Sequence, residues 1–235
     1  MKYSIFTLLI STFLICSDNE FKNTVLIPAG EFKMGDPFSK GGEDDNIPVH
    51  TVKIDSFYMD KYEVTVGEFM KFVDETGYEF KMSLWEKYYI SPTDNHPIVN
   101  VNWNDAVAYA NWVGKRLPTE AEWEYASRGG LEKKLYPWGN EISHAHANFN
   151  RFWGEEVDPN LPKIIDKKPK SKYWIRSAPV GSYPPNNFEL YDMAGNASEW
   201  CLDWYQWDYY KNSPKDNPKG PKTGNTKVTR ERTLV

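Results

Sequence analysis

The 235-residue chain is predicted to adopt an α/β (α+β) fold with little regular secondary structure. The word Gly114-Lys-Arg-Leu-Pro-Thr-Glu-Ala-Glu-Trp-Glu-Tyr-Ala-Ser-Arg-Gly-Gly130 is the first observation behind this. Thr119 followed three residues later by Glu122 is a capping box, and Gly129-Gly130 supplies a left-handed stop, so the word encodes one short helix with both ends specified. The second observation is composition. Ten Trp, fifteen Tyr and twelve Phe make 16% of the chain aromatic, which suits a core of large rings meeting across loops. The third is the long stretch from Tyr136 onward, rich in Pro, Asn and aromatics and without a periodic helical segment.

Taken in order, Lys2 and the apolar run Ile5 to Ile15 read as a signal peptide over 1–17, since the run is too short to span a bilayer. Cys16 ends that run at the position of an acylated lipoprotein cysteine, although Ile15 before it is bulkier than such processing favours. Thr24 to Asp36 alternates around Pro28 and Gly30 and predicts a hairpin, followed by a polar loop over Pro37 to Asn46 and a strand over Val49 to Tyr58. Thr65 with Glu68 forms a second capping box ahead of Phe69, Phe72 and Val73 at helical spacing, and Gly77 closes that helix. Pro97 to Val101 predicts a short strand, and Asn104 a cap for a helix over Asp105 to Val113 ending at Gly114. The tail Asn212 to Val235 is polar and Pro/Gly-rich, without the pattern of a packed domain end. One domain is expected over 22–235.

Composition removes several function classes. With 40% apolar residues and a mean hydropathy of −0.68, multiple membrane spans are not expected. A net charge of −5 and scattered Lys and Arg argue against nucleic acid as a partner; the short run Lys167-Lys168-Pro169-Lys170 reads as a solvated loop. No phosphate-cradling Gly loop, dinucleotide fingerprint or Ser/His/Asp order is present. His144-x-His146 has no third soft ligand at a suitable spacing and reads as loop.

The words Ile27-Pro-Ala-Gly-Glu-Phe-Lys-Met-Gly35, Tyr62-Glu-Val-Thr65, His96-Pro-Ile-Val-Asn-Val-Asn-Trp-Asn-Asp-Ala106, Arg116 to Tyr125, Tyr136-Pro-Trp-Gly139, Ala178-Pro-Val-Gly181 and Leu190-Tyr-Asp-Met-Ala-Gly-Asn-Ala-Ser-Glu-Trp200 recur in one order. Together they resemble the formylglycine-generating enzyme family, or sulfatase-modifying factor domain. That resemblance implies the sulfatase-modifying-factor fold, related to C-type-lectin-like folds, with little secondary structure, bound calcium and export. The family's best known members oxidise a sulfatase cysteine to Cα-formylglycine with oxygen and a copper ion held by two cysteines. Soft Cu(I) prefers such thiolates. Those cysteines follow a Val-x-Arg-Gly-Gly-Ser-type strand, whose start Lys227-Val-Thr-Arg230 resembles; the printed chain continues as Glu231-Arg-Thr-Leu-Val235. The domain is therefore expected to be incomplete at its C-terminus, with copper belonging only to a full-length parent. Cys201, beside Trp200, reads as a small buried residue.

The same resemblance implies a calcium site at Asp192, Gly195, Ala197 and Glu199, from two acidic side chains and two backbone carbonyls, a hard-oxygen set suited to calcium. Gly195-Asn196 read by itself is a turn with solvated acids. A second calcium site would use Asn148, the Phe149 carbonyl and Trp174, but its acidic position falls on Lys172, whose charge would oppose a cation, and Asp166 is a distant substitute. Two functions stay open. One is an exported oxidase acting on a sulfatase or another exported protein. The other is a non-enzymatic, calcium-stabilised binding or scaffold lipoprotein of the same fold, membrane-attached only through a lipid on Cys16. The chain as printed suits the second, because the cysteine pair is absent from it.

Overall fold

The computed structural model describes residues 23–39, 45–84, 87, 90–141, 143–149 and 177–230. Predictions for the signal peptide, Cys16, Asp166, the lysine run 167–170, Lys172, Trp174 and 231–235 lie outside the described residues.

The first four strands are β1 (Thr24–Ile27), β2 (Gly30–Met34), β3 (His50–Ile54) and β4 (Phe57–Asp60). The predicted hairpin over Thr24 to Asp36 does not form. β1 pairs antiparallel with β4, Leu26 opposite Tyr58, while β2 pairs antiparallel with β3, Phe32 opposite Val52. The connector explains it: a two-residue hairpin wants positive φ at one or both loop positions, and Pro28-Ala29 supplies neither. The predicted strand Val49 to Tyr58 likewise divides at Asp55-Ser56, one arm completing each ladder.

Helix α1 (Val66–Thr76) starts as predicted. The Thr65 hydroxyl accepts from the Glu68 N–H, the Glu68 carboxylate accepts from the Thr65 N–H at 2.9 Å, and Gly77 ends the helix at φ 68°. Helix α2 (Trp103–Trp112) begins two residues earlier than predicted, because Asn102 and not Asn104 is the cap. Asn102 accepts from the Asn104 and Asp105 N–H groups, and Asp105 accepts in return from the Asn102 N–H at 2.8 Å. The predicted strand Pro97 to Val101 is reduced to one bridge, Pro97 opposite Thr65, flanked by Ile98 N–H to Val64 O and Val66 N–H to His96 O. Helix α3 (Glu120–Arg128) has both predicted ends, the Thr119–Glu122 box and a left-handed Gly129 at φ 54°.

Two elements close the core from the far end of the chain. β5 (Glu199–Trp204), which the sequence reading missed, pairs antiparallel with β6 (Lys227–Arg230), the strand expected from Lys227-Val-Thr-Arg230. As far as Arg230 the tail is therefore packed, contrary to expectation. Val228 is buried, the Lys53 N–H donates to Lys215 O, and the Asn217 N–H donates to Lys53 O. The core around Trp123 gathers Ile27, Val52, Ile54, Leu190 and Cys201, joining α3 to all of these segments. A second aromatic cluster of Phe69, Phe72, Tyr78, Tyr109 and Trp112 fills the space between α1 and α2. Packing accounts for most of the aromatic rings among the described residues; Phe38, Tyr58, Tyr205 and Trp207 stay exposed.

One face of α3 carries buried charge. Arg128 donates to Glu124 Oε1 at 2.6 Å, and Arg230 from β6 reaches Glu124 at 2.9 Å and Glu120 at 3.1 Å. The Gly35 N–H also donates to Glu124. Burial pushes the Glu124 carboxyl up, but Arg230 and Arg128 hold it below its ordinary range. Glu124 and Arg128 are nearly solvent-free and Arg230 is largely buried, so removing Glu124 would leave Arg128 uncompensated.

Candidate metal centre

The segment Asp192–Glu199 enters β5 through a loop with three left-handed residues, Asp192 at φ 54°, Gly195 at φ 80° and Asn196 at φ 68°. Gly195 has a steric reason as well as a conformational one, since a Cβ there would stand 2.2 Å from the Asn148 carbonyl oxygen. The loop turns the predicted ligands Asp192 and Glu199 inward. Asp192 Oδ2 accepts from the Gly181 N–H at 2.8 Å, while Oδ1 is buried and has no hydrogen-bond partner. Burial, partly offset by the Gly181 N–H, pushes the Asp192 carboxyl up to about 6. Glu199 accepts from the Trp123 indole N–H. Its carboxyl is pushed up to about 7 by burial and by Asp192, against the lowering effect of Trp123.

A third acid belongs to the same neighbourhood, and the sequence reading did not assign it to the site. Glu63, between β4 and α1, accepts from the Ala197 N–H at 2.9 Å and from the Asn196 side-chain amide at 2.6 Å. Burial, then the negative charges of Asp192 and Glu199, raises its carboxyl well above the ordinary range. Among the described residues no ion pair involves any of these three acids. Buried carboxylates without a counter-charge are costly unless a cation or a proton neutralises them.

The donors here are oxygens, the ligand type calcium takes. Among the described residues no group of three or more His, Cys, Asp or Glu converges as a metal site, so Asp192, Glu199 and Glu63 do not form a three-carboxylate cage. Calcium tolerates a mixed shell of a few carboxylates completed by backbone carbonyls and water, and the unpartnered Asp192 oxygen is such a donor. Asp192 and Glu199 would supply side-chain oxygens, with the carbonyls of Gly195 and Ala197 as the remaining predicted donors.

Of the second predicted site, only Asn148 and Phe149 lie among the described residues. Asn148 is committed to the first loop: its carbonyl accepts from the Asn196 N–H at 2.9 Å and its amide donates to Asn196 Oδ1 at 3.3 Å. The Phe149 ring stacks on His144 with centroids 4.2 Å apart. His146 stacks instead on Trp138, so the two histidines rest on different rings. Cys201 is fully buried, and burial, followed by the charge of Glu120, pushes its thiol well above the usual range. A buried thiol of that kind is a poor metal ligand and a poor nucleophile.

A cavity of about 480 Å³ adjoins the loop, with Phe57, Met59, Phe69, Tyr109 and Met193 on its apolar walls and Glu63, Ala197 and Glu199 along one side. No local pattern announced it, because its walls come from segments far apart in the chain.

Comparison with known proteins gives this geometry a setting. The family described as "Sulfatase-modifying factor enzyme 1-like domain" matches residues 15–231. A formylglycine-generating enzyme of Streptomyces coelicolor is 36% identical over 250 residues, covering 89% of this chain and 77% of that protein. A Chlamydia pneumoniae protein named serine/threonine-protein kinase pkn1 is 38% identical over 228 residues, covering 88% of this chain but 32% of the kinase-named protein. Among solved structures, PvdO from Pseudomonas aeruginosa superposes with a TM-score of 0.68 at 29% identity, covering 92% of this chain and 84% of PvdO.

Proposed function

The chain belongs to the sulfatase-modifying factor enzyme 1-like family, and from that premise we propose that its 235 residues form an exported, calcium-stabilised recognition scaffold that does not itself oxidise cysteine. The observation that carries the calcium half is the buried, unpartnered Oδ1 of Asp192 in a loop that also holds Glu199 and, among the described residues, has no ion pair to either acid. Calcium bound there would supply positive charge to two inward carboxylates and fix the entry to β5.

The non-catalytic half rests on the cysteines these residues contain. There are two, Cys16 in the predicted leader and Cys201 at zero exposure in the core. They do not fit a copper ion held by paired thiolates, so no oxidation step is routed through them. The kinase-named relative lends support, because there a domain of this kind sits within a protein about three times its length and bearing a different name. A partner would be an exported protein or peptide, a sulfatase among them. The apolar leader supports export, and a lipid on Cys16 would be the membrane attachment.

Thermal unfolding of the full chain in millimolar calcium and in chelator tests the first half. Binding to the folded state alone stabilises it by about 2.7 kcal/mol when the ligand is at one hundred times its dissociation constant. A higher Tm with calcium is expected; equal values would remove the site. Incubation with Cu(I), oxygen and a sulfatase-type cysteine peptide, followed by mass spectrometry, tests the second. Unchanged peptide is expected, and formylglycine product would restore the oxidase reading.

A further inference from the structure

Glu63 lies 134 positions from Ala197, yet both of its carboxylate oxygens are spent on the calcium loop. One oxygen accepts from the Ala197 N–H and the other from the Asn196 side-chain amide. Asn196 then passes the contact on. Its Oδ1 accepts from the Ala178 N–H at 2.7 Å and from the Asn148 amide, and its own N–H donates to the Asn148 carbonyl. The residue so held is non-glycine in a left-handed conformation at φ 68°, which persists only where surrounding contacts over-determine it. The two peptide groups on either side of Asn196 carry the carbonyls of Gly195 and of Asn196 itself, and the Ala197 N–H held by Glu63 belongs to the second, so the contact sets the course of the loop between the predicted carbonyl donors of Gly195 and Ala197.

From this we infer that Glu63 is the positioning residue of the cation loop: it does not ligate calcium but holds Asn196 and Ala197 so that the loop carbonyls and the Asp192 and Glu199 carboxylates keep a binding geometry. The inference rests on the calcium reading proposed above. A ligand role is disfavoured by the hydrogen bonds already made by both oxygens. A purely structural role is set apart by where those bonds go, which is to Asn196, between the two predicted carbonyl donors, and to the N–H of Ala197, one of them. Glutamine at this position would keep the volume but offer one acceptor, turning its amide N–H groups toward a donor and opening the loop.

The test is calcium titration of the full chain by calorimetry, with thermal unfolding in chelator and in calcium, on wild type, Glu63→Gln, Asn196→Ala and the control Glu189→Gln. Loss of a residue that orients metal ligands costs about 10–100-fold in metal affinity. Glu63→Gln is therefore expected to raise the calcium Kd at least tenfold and to shrink the calcium-dependent rise in Tm, while remaining folded in chelator. Asn196→Ala should do the same, and the double variant should be no weaker than the weaker single, because the two act through one contact. Glu189→Gln, on the exposed partner of Lys61, should bind as wild type does. Wild-type binding with Glu63→Gln within twofold of it would overturn the inference and leave the calcium reading standing. No calcium binding by wild type would overturn both. If Glu63→Gln does not fold, the same thresholds applied to Asn196→Ala decide.

Discussion

Helix α3 and the segment from Ala178 to Arg230 meet at one interface, yet they are specified in opposite ways. The ends of α3 are set within about ten residues by Thr119, Glu122 and Gly129, each acting on its own neighbours. The later segment has little local code. Its shape depends on partners far away in the chain, with Asn196 on Glu63 at a separation of 133, Asp203 on the Glu120 N–H at 83 and Arg230 on Glu124 at 106. Glu120, Glu124 and Arg128, which in sequence resemble a solvated charged helix face, are the docking points for that distant segment. A capped helix thus doubles as the frame against which an irregular region is folded.

The sharpest way to break this relation is Arg230→Ala. It leaves Glu120 without its cation and Glu124 with Arg128 alone in a largely buried site, and removing one partner of a buried pair costs about 3–5 kcal/mol. Denaturant unfolding should show that loss. Combining it with Glu120→Gln should recover part of it, since the penalty lies in the stranded Glu120 carboxylate, while Glu124 keeps its pair with Arg128. A loss below about 1 kcal/mol would mean that the network is solvated like a surface pair.

Two glycines sharpen the comparison at the next level. Gly77 ends α1 at φ 68° with no heavy atom within 4 Å of a would-be Cβ, whereas Gly195 at φ 80° faces the Asn148 carbonyl at 2.2 Å. Gly77→Ala should cost about 1 kcal/mol, the local price of a left-handed alanine. Gly195→Ala adds a backbone clash and should cost about 2–3 kcal/mol while abolishing the calcium-dependent rise in Tm. Equal losses at the two positions, with calcium binding retained, would show that the loop around Gly195 gives way freely.

The same contrast accounts for what could be read in advance. Both capping boxes, the left-handed Gly77 and Gly129, and the strand at Lys227–Arg230 were legible because each depends on neighbouring residues or on a whole recurring word. The pairing of β1 with β4 was not, because alternation identifies a strand without naming its partner. Asn102 was passed over for Asn104 because both are good caps, and the reciprocal bond to Asp105 decides between them. Asp192 and Glu199 were legible as acids at a motif's ends, but Glu63 reaches them only through the fold. The polar composition of the tail hid its packing, since Arg230 is buried by pairing and not by hydrophobicity.

Asp203 gives the comparison a pH axis. Burial pushes its carboxyl up to about 7 although the Glu120 N–H donates to it, so the folded state favours the protonated form. A carboxyl raised in this way is no burden below the unfolded pKa near 4 and destabilises progressively as pH rises through about 7, at up to about 1.4 kcal/mol per pH unit. Asp203→Asn keeps an acceptor for the Glu120 N–H and removes the titration. Between pH 5 and pH 8 its stability should improve relative to wild type by about 1–2 kcal/mol, after allowance for local relaxation. A difference that stays constant with pH would show that Asp203 ionises in the fold as easily as in the unfolded chain.

The smallest expected effect falls on the local side. Thr119→Ala removes the hydroxyl that accepts from the Glu122 N–H, leaving that donor and the reciprocal Glu122 bond to the Thr119 N–H weaker at the start of α3. An N-cap of this type contributes about 1 kcal/mol, and serine restores the oxygen, so Thr119→Ser should lie within a few tenths of wild type. Because Glu122 is also held by a two-pronged contact from Arg116, the carboxylate keeps its place when the hydroxyl is lost. If helix ends are set locally and the far segment by its buried anchors, Thr119→Ala should lower stability by that modest amount and leave the calcium Kd unchanged. A change in calcium affinity on Thr119→Ala would mean that strain at the helix start reaches the loop through Trp123, whose indole N–H bonds Glu199.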